Sequence, residues 1–297
     1  MYQRWIISSL SILLSIVVAA CSNVATSQPQ QITTTPTAPQ QLAQRVVALT
    51  PLSADIIYRL DQNKLVGIAG SSVLNKDSRF QDITSVAQGR TQPNLEKIVA
   101  LKPDLVIGAS GFSDQTLKRL QELNISTLAT KIDSWKALEE LTTTLAVRIG
   151  ASPKPLLDKY QQLLGQGTNT NKNTSALVLV SRQPILTPNK NSWAGDMLNQ
   201  FQVKNIAADL QGKSSFGGYV TLSPEKILEA NPESIILVNT PGNSEQEMID
   251  GFKKETFWQK LQATKNNRVY VFDYLGLVNP GSIDAIEKAA EKLQKIT

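Results

Sequence analysis

The sequence predicts an α/β protein of two lobes, each with a central, mostly parallel sheet flanked by helices, and one long helix bridging them. Three observations carry this prediction. From residue 45 onward, short apolar runs alternate with amphipathic helical patterns, as in parallel sheets covered by crossover helices. Residues 94–107 recur, without a gap, as residues 223–236. The length of 297 residues lies where a single core, limited to roughly 250–300 residues, gives way to two.

The predicted N-terminal lobe covers residues 45–150. Its strands are short apolar runs, and its helices follow polar residues that can accept a hydrogen bond from the first turn. Strands are predicted at 45–49, 65–68, 105–107 and 125–129, with helix caps at Ser53, Asn94, Ser113 and Ser134. Gly150 is predicted to end the last helix, because glycine readily adopts the left-handed conformation of a helix C-terminus.

A helix over residues 151–170 is predicted to bridge the lobes. Ser152 followed by Pro153 indicates its start, because proline fits the first helical position. The C-terminal lobe, residues 171–297, then repeats the alternation of strands and helices. Strands are predicted at 176–180, 234–238 and 269–272, with helices after Ser192, Ser223, Ser244 and Ser282.

The composition excludes several kinds of chemistry. The chain has no His and one Cys, so it lacks the residues of a Ser-His-Asp triad, a His-ligated zinc or haem site, an internal disulfide and an iron–sulfur cluster. The 30 basic and 25 acidic residues give a net charge of +5 and are spread along the chain, with no basic run typical of a nucleic-acid groove. We therefore expect neither an enzyme nor a nucleic-acid-binding protein.

The first 20 residues have the layout of an export signal. Arg4 precedes an uncharged, mostly apolar stretch over residues 6–20, too short to cross a ~30 Å hydrocarbon core comfortably. The run Val18-Ala19-Ala20-Cys21 resembles the lipobox of bacterial lipoproteins, which implies that Cys21 becomes the first mature residue and carries a lipid. A cleaved signal with a chance cysteine and an uncleaved anchor are the alternatives. The lipoprotein interpretation predicts an exported protein, periplasmic or on the cell surface, held on a membrane.

Residues 21–44 are predicted to form a flexible tether. The segment has no charged residue and is dominated by Gln, Thr, Pro and Ser. Such a segment buries too little apolar surface to offset the entropy lost on ordering.

The internal repeat links the two lobes. Glu96, Lys97 and Ile98 of the first copy match Glu225, Lys226 and Ile227 of the second, and Pro103 matches Pro232. Ordinary strand–helix units share the cap, the short helix and the Pro stop, but they do not require the same Glu-Lys-Ile turn. The repeat therefore predicts two lobes of similar design that face each other across a cleft.

Several segments together resemble one family. They are residues 45–57, 65–68, 93–107 and 222–227, and the Asn279-Pro280-Gly281 run before the last helix. The chain is similar there to the Fe/cobalamin type, or class III, of periplasmic substrate-binding proteins of ABC importers. The resemblance implies a two-lobed α/β fold bridged by a helix, a binding role, a lipid anchor or periplasmic location, and a membrane permease dimer as partner.

The same resemblance gives Glu96 and Glu225 a role. Each lies in the first turn of a predicted helix, where a carboxylate complements the helix dipole by ~0.3–1 kcal/mol. In the family, one glutamate on each lobe forms salt bridges with arginines of the permease dimer. The resemblance therefore implies that Glu96 and Glu225 are the docking residues.

The ligand is expected at the carboxyl ends of the strands, where parallel α/β sheets bind ligands. Arg90 and Tyr219 each lie six residues before a repeat glutamate, at positions where relatives carry ligand-contacting side chains. Candidate ligand-binding residues are Arg90, Tyr219, Trp193, Arg182, Ser72, Phe112, Phe216 and Tyr274. Core packing is the alternative role for Trp193 and Phe216, and a solvated surface charge is the alternative for Arg90 and Arg182.

The expected ligand is a metal chelate, and no cofactor is expected. Sites for bare zinc or manganese ions are usually coordinated by His, which this sequence lacks. A bare ferric ion is expected to be coordinated by clustered Tyr, whereas the six Tyr are dispersed along the sequence. A chelate needs aromatic faces, hydrogen bonds and, if it is anionic, an Arg or two. Arg90 and Arg182 favour a ferric siderophore over cobalamin or haem.

The predicted function is therefore that of a monomeric substrate-binding lipoprotein of an ABC importer. A ligand sensor or a scaffold lipoprotein with the same fold is the alternative, because both keep the lobes and the docking surface. The scaffold alternative predicts no small-molecule binding.

Overall fold

The N-terminal lobe is built on a five-stranded parallel sheet, in the strand order β3-β2-β1-β4-β5. The computed structural model describes residues 41–71, 73–87, 91–165, 174–211, 217–239 and 244–296. The strands are β1 (Val46–Ala48), β2 (Leu65–Ala69), β3 (Thr84–Ala87), β4 (Leu105–Ala109) and β5 (Ser126–Thr130), and the helices are α1 (Pro51–Asp61), α2 (Leu95–Ala100), α3 (Asp114–Glu122) and α4 (Trp135–Ile149).

The C-terminal lobe has a four-stranded parallel sheet, β12-β11-β6-β9, and a small antiparallel sheet, β10-β8-β7. A helix α5 (Lys154–Gly165) leads into it. Its strands are β6 (Ser175–Leu179), β7 (Ser181–Arg182), β8 (Ile185–Pro188), β9 (Lys204–Asn205), β10 (Tyr219–Thr221), β11 (Ser234–Asn239) and β12 (Val269–Asp273). Its helices are α6 (Trp193–Gln200), α7 (Pro224–Ala230), α8 (Glu245–Lys254), α9 (Gln262–Lys265), α10 (Tyr274–Leu277) and α11 (Ile283–Ile296). The predicted α/β class is confirmed.

Most predicted helix starts are confirmed by their hydrogen bonds. The side chains of Asn94, Ser134 and Ser192 accept from backbone N–H groups three residues on, which satisfies donors that a helix start leaves unpaired. The prediction for α1 is wrong by three residues. Thr50 is its cap and accepts from the Ser53 N–H at 3.2 Å, while Ser53 itself is buried inside the first turn.

The lobes share one continuous hydrophobic core. It runs from β1 and α1 through α4 and α5 into α6, β11 and α11. At its centre the indole rings of Trp135 and Trp193 stack at 6.0 Å with an interplanar angle of 11°. Tyr160 of α5 and Phe201 pack edge-on against Trp135. Both α4 and α5 thus connect the lobes, whereas the sequence predicted one bridging helix over 151–170, whose residues 166–170 lie outside the described residues.

The folded unit begins slightly earlier than predicted. Ala43, assigned to the tether, is buried, and its N–H donates to the Arg148 carbonyl at 2.8 Å. Residues 21–40 of the predicted tether and the signal at 1–20 lie outside the described residues.

Both copies of the repeat fold in the same way. Ile98 of α2 and Ile227 of α7 are fully buried and anchor each helix on its lobe. After each helix, Lys102 and Asn231 adopt left-handed backbone conformations, with φ of 47° and 38°. The following strands, β4 and β11, then pair in parallel with β1 and β6, respectively. The repeat is therefore a repeat of structure as well as of sequence.

Candidate ligand-binding site between the lobes

A cavity of about 600 Å³ lies between the lobes. The N-terminal lobe contributes the segment after β2, and the C-terminal lobe contributes the last residues of β11 and β12, the start of α10 and the first turns of α11. The carboxyl ends of parallel strands therefore border this space, as topology predicts. The charged and aromatic side chains in its lining are Lys76, Asp77, Arg79, Asp273, Tyr274, Asp284 and Lys288.

The carboxylate of Asp55 ties the lobes together beside the cavity. Asp55 lies in α1, and its side chain is 0% exposed. Its Oδ1 accepts from Arg59 Nε at 3.0 Å and from Arg79 Nη1 at 2.8 Å. Its Oδ2 accepts from the backbone N–H of Ile283 at 2.7 Å. Because Ile283 begins α11, the carboxylate also lies at the positive end of that helix dipole. These bonds hold the last helix on the N-terminal lobe.

Arg79 lines the cavity with its charge already compensated. Its Nη2 lies 2.6 Å from Asp77 Oδ2 and 3.1 Å from Asp284 Oδ2. The hydrogen bond from Arg79 holds the pKa of the Asp77 carboxyl below its usual range. With three carboxylates around it, this guanidinium is engaged in the protein's own ion-pair network.

Two lysines, one from each lobe, are the cations of the described cavity lining that are not held in an ion pair. Lys76 comes from the N-terminal lobe and Lys288 from α11, and both are exposed. Neither ammonium forms an ion pair with another described residue. Asp273, the last residue of β12, adds one carboxylate to the lining. An anionic ligand entering this space would therefore meet one flexible positive charge from each lobe.

The fold brings together two tyrosines that lie far apart in the sequence. Tyr274 lines the cavity, and the hydroxyl of Tyr219, in β10, donates at 3.4 Å to the carbonyl of Val278, whose own N–H bonds to the Tyr274 carbonyl. Burial raises the pKa of the Tyr219 phenol well above its usual value, and Tyr274 adds to this rise. Tyr219 and Tyr274 are therefore near each other in the fold, although they are far apart in the sequence.

The other predicted ligand-binding residues divide into three groups. Phe112 is 55% exposed in the turn after β4, at the predicted edge of the sheet, but it is not part of the cavity lining. Arg182 forms an exposed ion pair with Glu255 and does not reach the cavity. Ser72, Arg90 and Phe216 lie outside the described residues.

Trp193 is a correction to the prediction. Its side chain is 2% exposed, its Nε1 donates to the Gly276 carbonyl at 2.9 Å, and its ring stacks on Trp135. It packs in the shared core, because α6 turns this position inward, and we do not retain it as a ligand-contacting residue.

The two repeat glutamates are exposed on separate lobes. Glu96 and Glu225 occupy equivalent positions in α2 and α7. Hydrogen bonds from its own backbone N–H and from Ser223 lower the pKa of the Glu225 carboxyl. Cys21, the predicted lipidation residue, lies outside the described residues.

Sequence reasoning missed the charged residues around the cavity. The sequence around Lys76 and Lys288 gives little indication of a role in the site, since both resemble ordinary surface lysines. Asp55 gave a better signal, because it stands directly before the apolar pair Ile56 and Ile57 in a helix that faces the core. A charge at such a position is rarely buried without a partner.

A model of the periplasmic binding protein family matches residues 46–274. The chain belongs to this family. The resemblance to class III substrate-binding proteins that the motifs indicate is thereby confirmed. The family consists of binding proteins rather than enzymes.

This periplasmic binding protein is similar to both sequenced and solved relatives. It is 26% identical over 266 residues to an uncharacterised ABC transporter substrate-binding lipoprotein, YvrC, of Bacillus subtilis, with 84% of this chain and 79% of that protein covered. Its fold matches a possible iron-binding, periplasmic solute-binding protein of Staphylococcus epidermidis, with a TM-score of 0.69 and 23% identity over 86% of this chain and 99% of the other. It also matches the vitamin B12-binding protein BtuF of Vibrio cholerae, with a TM-score of 0.65 and 22% identity over 86% and 96% of the two chains.

The arrangement of the described residues also concerns metal binding and membrane crossing. No group of three or more Cys, Asp or Glu side chains there is arranged to hold a metal ion. No helix among them is long and apolar enough to cross a bilayer.

Proposed function

We propose that this protein captures an anionic metal chelate, with a ferric siderophore as the first candidate, between its lobes and delivers it to the permease dimer of an ABC importer. The observation that carries the proposal is the cavity that presents Lys76 and Lys288 from opposite lobes. A volume of about 600 Å³ is within the ~300–1,000 Å³ typical of ligand sites, enough for a chelate.

The lysines add to Arg90, which the sequence predicted as a ligand contact and which lies outside the described residues. Arg182 is paired with Glu255, and Arg79 with three carboxylates, so neither offers a free charge to a ligand. An ammonium on a flexible stem can follow an anionic ligand as it binds, so a lysine from each lobe can reach the ligand while the lobes keep their relative position. Tyr274 supplies an aromatic face in the same wall. Cobalamin and haem are the alternative ligands, since the similar structures include a possible iron-binding protein and a vitamin B12-binding protein.

Delivery rests on the repeat glutamates. Glu96 and Glu225 are exposed at matching positions of two lobes that share one core, so the distance between them is fixed. A partner with two-fold symmetry can contact both at once with the same surface. This favours docking on a permease dimer through cations that face the two carboxylates.

Anchoring rests on Cys21. A lipid on this residue would hold the protein at the membrane through the segment 21–40, so that it could reach the permease without diffusing away.

Calorimetric titration of the purified protein tests the ligand class. The panel is a trianionic ferric tris-catecholate, a neutral ferric tris-hydroxamate, haem and cobalamin. We expect saturable binding of the tris-catecholate with a Kd of about 1 μM or tighter, and weaker binding of the neutral chelate. Tighter binding of the neutral chelate or of cobalamin would contradict an anionic ligand. No binding across the panel by folded protein would favour the scaffold alternative.

A further inference from the structure

Helices α2 and α7, which carry Glu96 and Glu225, each also expose an aliphatic side chain. Val99 in α2 and Leu228 in α7 are each 39% exposed, although both are large hydrophobic residues. They are equivalent in the repeat, because each follows its glutamate by three positions. A single exposed aliphatic residue is ordinary on a protein surface, but the same exposure at the same place in both lobes asks for an explanation.

The spacing makes each pair a small composite surface. Residues three apart on a helix are neighbours on one face, so Glu96 lies beside Val99 and Glu225 beside Leu228. The buried isoleucine between them, Ile98 or Ile227, fixes the rotation of each helix so that this face points outward.

The surroundings hold both faces rigidly. Pro103 and Pro232 are buried behind the helices. The carboxylate of Asp104 accepts a hydrogen bond from the N–H of Arg45, directly before β1, and that of Glu233 accepts one from Ser175, the first residue of β6. Each face is thus built on the sheet of its own lobe, and neither needs to be ordered when a partner binds.

We propose that Val99 and Leu228 are contact residues for the permease, each filling a small apolar pocket beside the cation that pairs with Glu96 or Glu225. This inference rests on the proposed function and adds the apolar half of the recognition. The partner is a two-fold membrane protein whose subunits each present a cation next to an apolar hollow. Since valine and leucine differ in size, the hollow must accommodate one more methylene on the Leu228 side. The aliphatic contacts exclude water from the adjacent ion pair, which strengthens it.

Binding of the purified, unliganded protein to membrane vesicles from source cells that lack its own gene tests the inference. The variant is Val99→Asn/Leu228→Asn, and the matched control is Val147→Asn, which changes an exposed valine on α4 outside the repeat. Glu96→Gln/Glu225→Gln is measured in parallel. We expect each of the two substitutions in the asparagine variant to contribute a roughly three- to tenfold rise in the Kd for the vesicles, while the control leaves this Kd unchanged. Circular dichroism and thermal unfolding verify that the variants fold.

The salt dependence of binding distinguishes the contribution of the glutamates from that of the aliphatic side chains. Raising the ionic strength should weaken binding of the wild type and of the asparagine variant, because salt screens the glutamate ion pairs. The glutamine variant should lose most of this salt dependence. A photo-crosslinker at position 99 or 228, but not at 147, should label the same polytopic membrane protein.

The results distinguish this inference from the proposed function. If the glutamine variant binds weakly and the asparagine variant binds like the wild type, the aliphatic contacts are overturned and the docking role stands. If neither variant changes a saturable wild-type Kd, or if the wild type does not bind, permease docking through these faces is itself contradicted.

Discussion

Asp55 and Arg79 lie 2.8 Å apart, and their contact is the centre of an ion-pair network that joins the lobes beside the cavity. Asp55 is fully buried and also accepts the first N–H of the last helix. A buried charge is stable only when paired and hydrogen-bonded, so the position of α11 depends on this network.

Replacing Asp55 should therefore destabilise the fold strongly. Asp55→Ala removes one of the carboxylate partners of Arg59 and of Arg79 and the acceptor of one helix N–H, and we expect a loss of about 3 kcal/mol in the free energy of unfolding. This is the lower end for a broken buried pair, because Arg59 and Arg79 keep some contact with water. Urea denaturation measures it. The control Asp158→Ala, which breaks an exposed pair with Lys154, should change stability by less than about 1 kcal/mol.

Burial of Tyr160 and Tyr219 predicts instability at alkaline pH. Burial raises the pKa of both phenols above the usual ~10. Above pH ~10 the unfolded chain releases these protons while the folded chain keeps them, so stability is fully present below that pH and falls as pH rises. Tyr160→Phe should reduce the slope of stability against pH by about 1.4 kcal/mol per pH unit between roughly pH 10.5 and 12. An unchanged slope would mean that this phenol ionises in the folded protein.

Trp193 should matter for stability and not for ligand binding. Trp193→Phe removes the indole donor and leaves the Gly276 carbonyl buried without it, which costs about 1–3 kcal/mol. Ligand affinity measured by calorimetry should stay within about twofold, since the ring lies in the shared core. A large loss of ligand affinity at unchanged stability would instead indicate that Trp193 contacts the ligand.

Lipidation at Cys21 predicts a simple change of location. Cys21→Ser should leave the protein in the soluble fraction and abolish its labelling by radioactive palmitate, whereas Ser22→Ala should keep both the label and the membrane association. Membrane retention of the serine variant would instead indicate that residues 6–20 act as an uncleaved anchor.

The sequence was sufficient for the frame of the molecule. Apolar runs and caps predicted the main strands and most helix starts, and the Glu-Lys-Ile repeat predicted two lobes of one design. It was insufficient for β3, β7, β8, β9 and β10, because these strands are very short and mix polar residues into the apolar pattern. Periodicity alone cannot identify such segments.

The site was harder to predict than the fold. Lys76 and Lys288 line the same cavity because α11 packs on the N-terminal lobe, a contact between distant parts of the chain that no local pattern encodes. The sequence indicates Arg182 by its charge at the end of a strand and Trp193 by its aromatic ring at the start of a helix. The structure gives the first an ion-pair partner and buries the second.

The affinity of Lys76→Gln/Lys288→Gln for a ferric tris-catecholate tests the central claim most directly. With one cation lost from each lobe, we expect the Kd to rise roughly 10- to 100-fold and its salt dependence to weaken, whereas Lys118→Gln, an exposed control on α3, should match the wild type. A neutral ferric chelate should show little change. An unaltered Kd and salt dependence for the tris-catecholate would contradict recognition of an anionic chelate between the lobes.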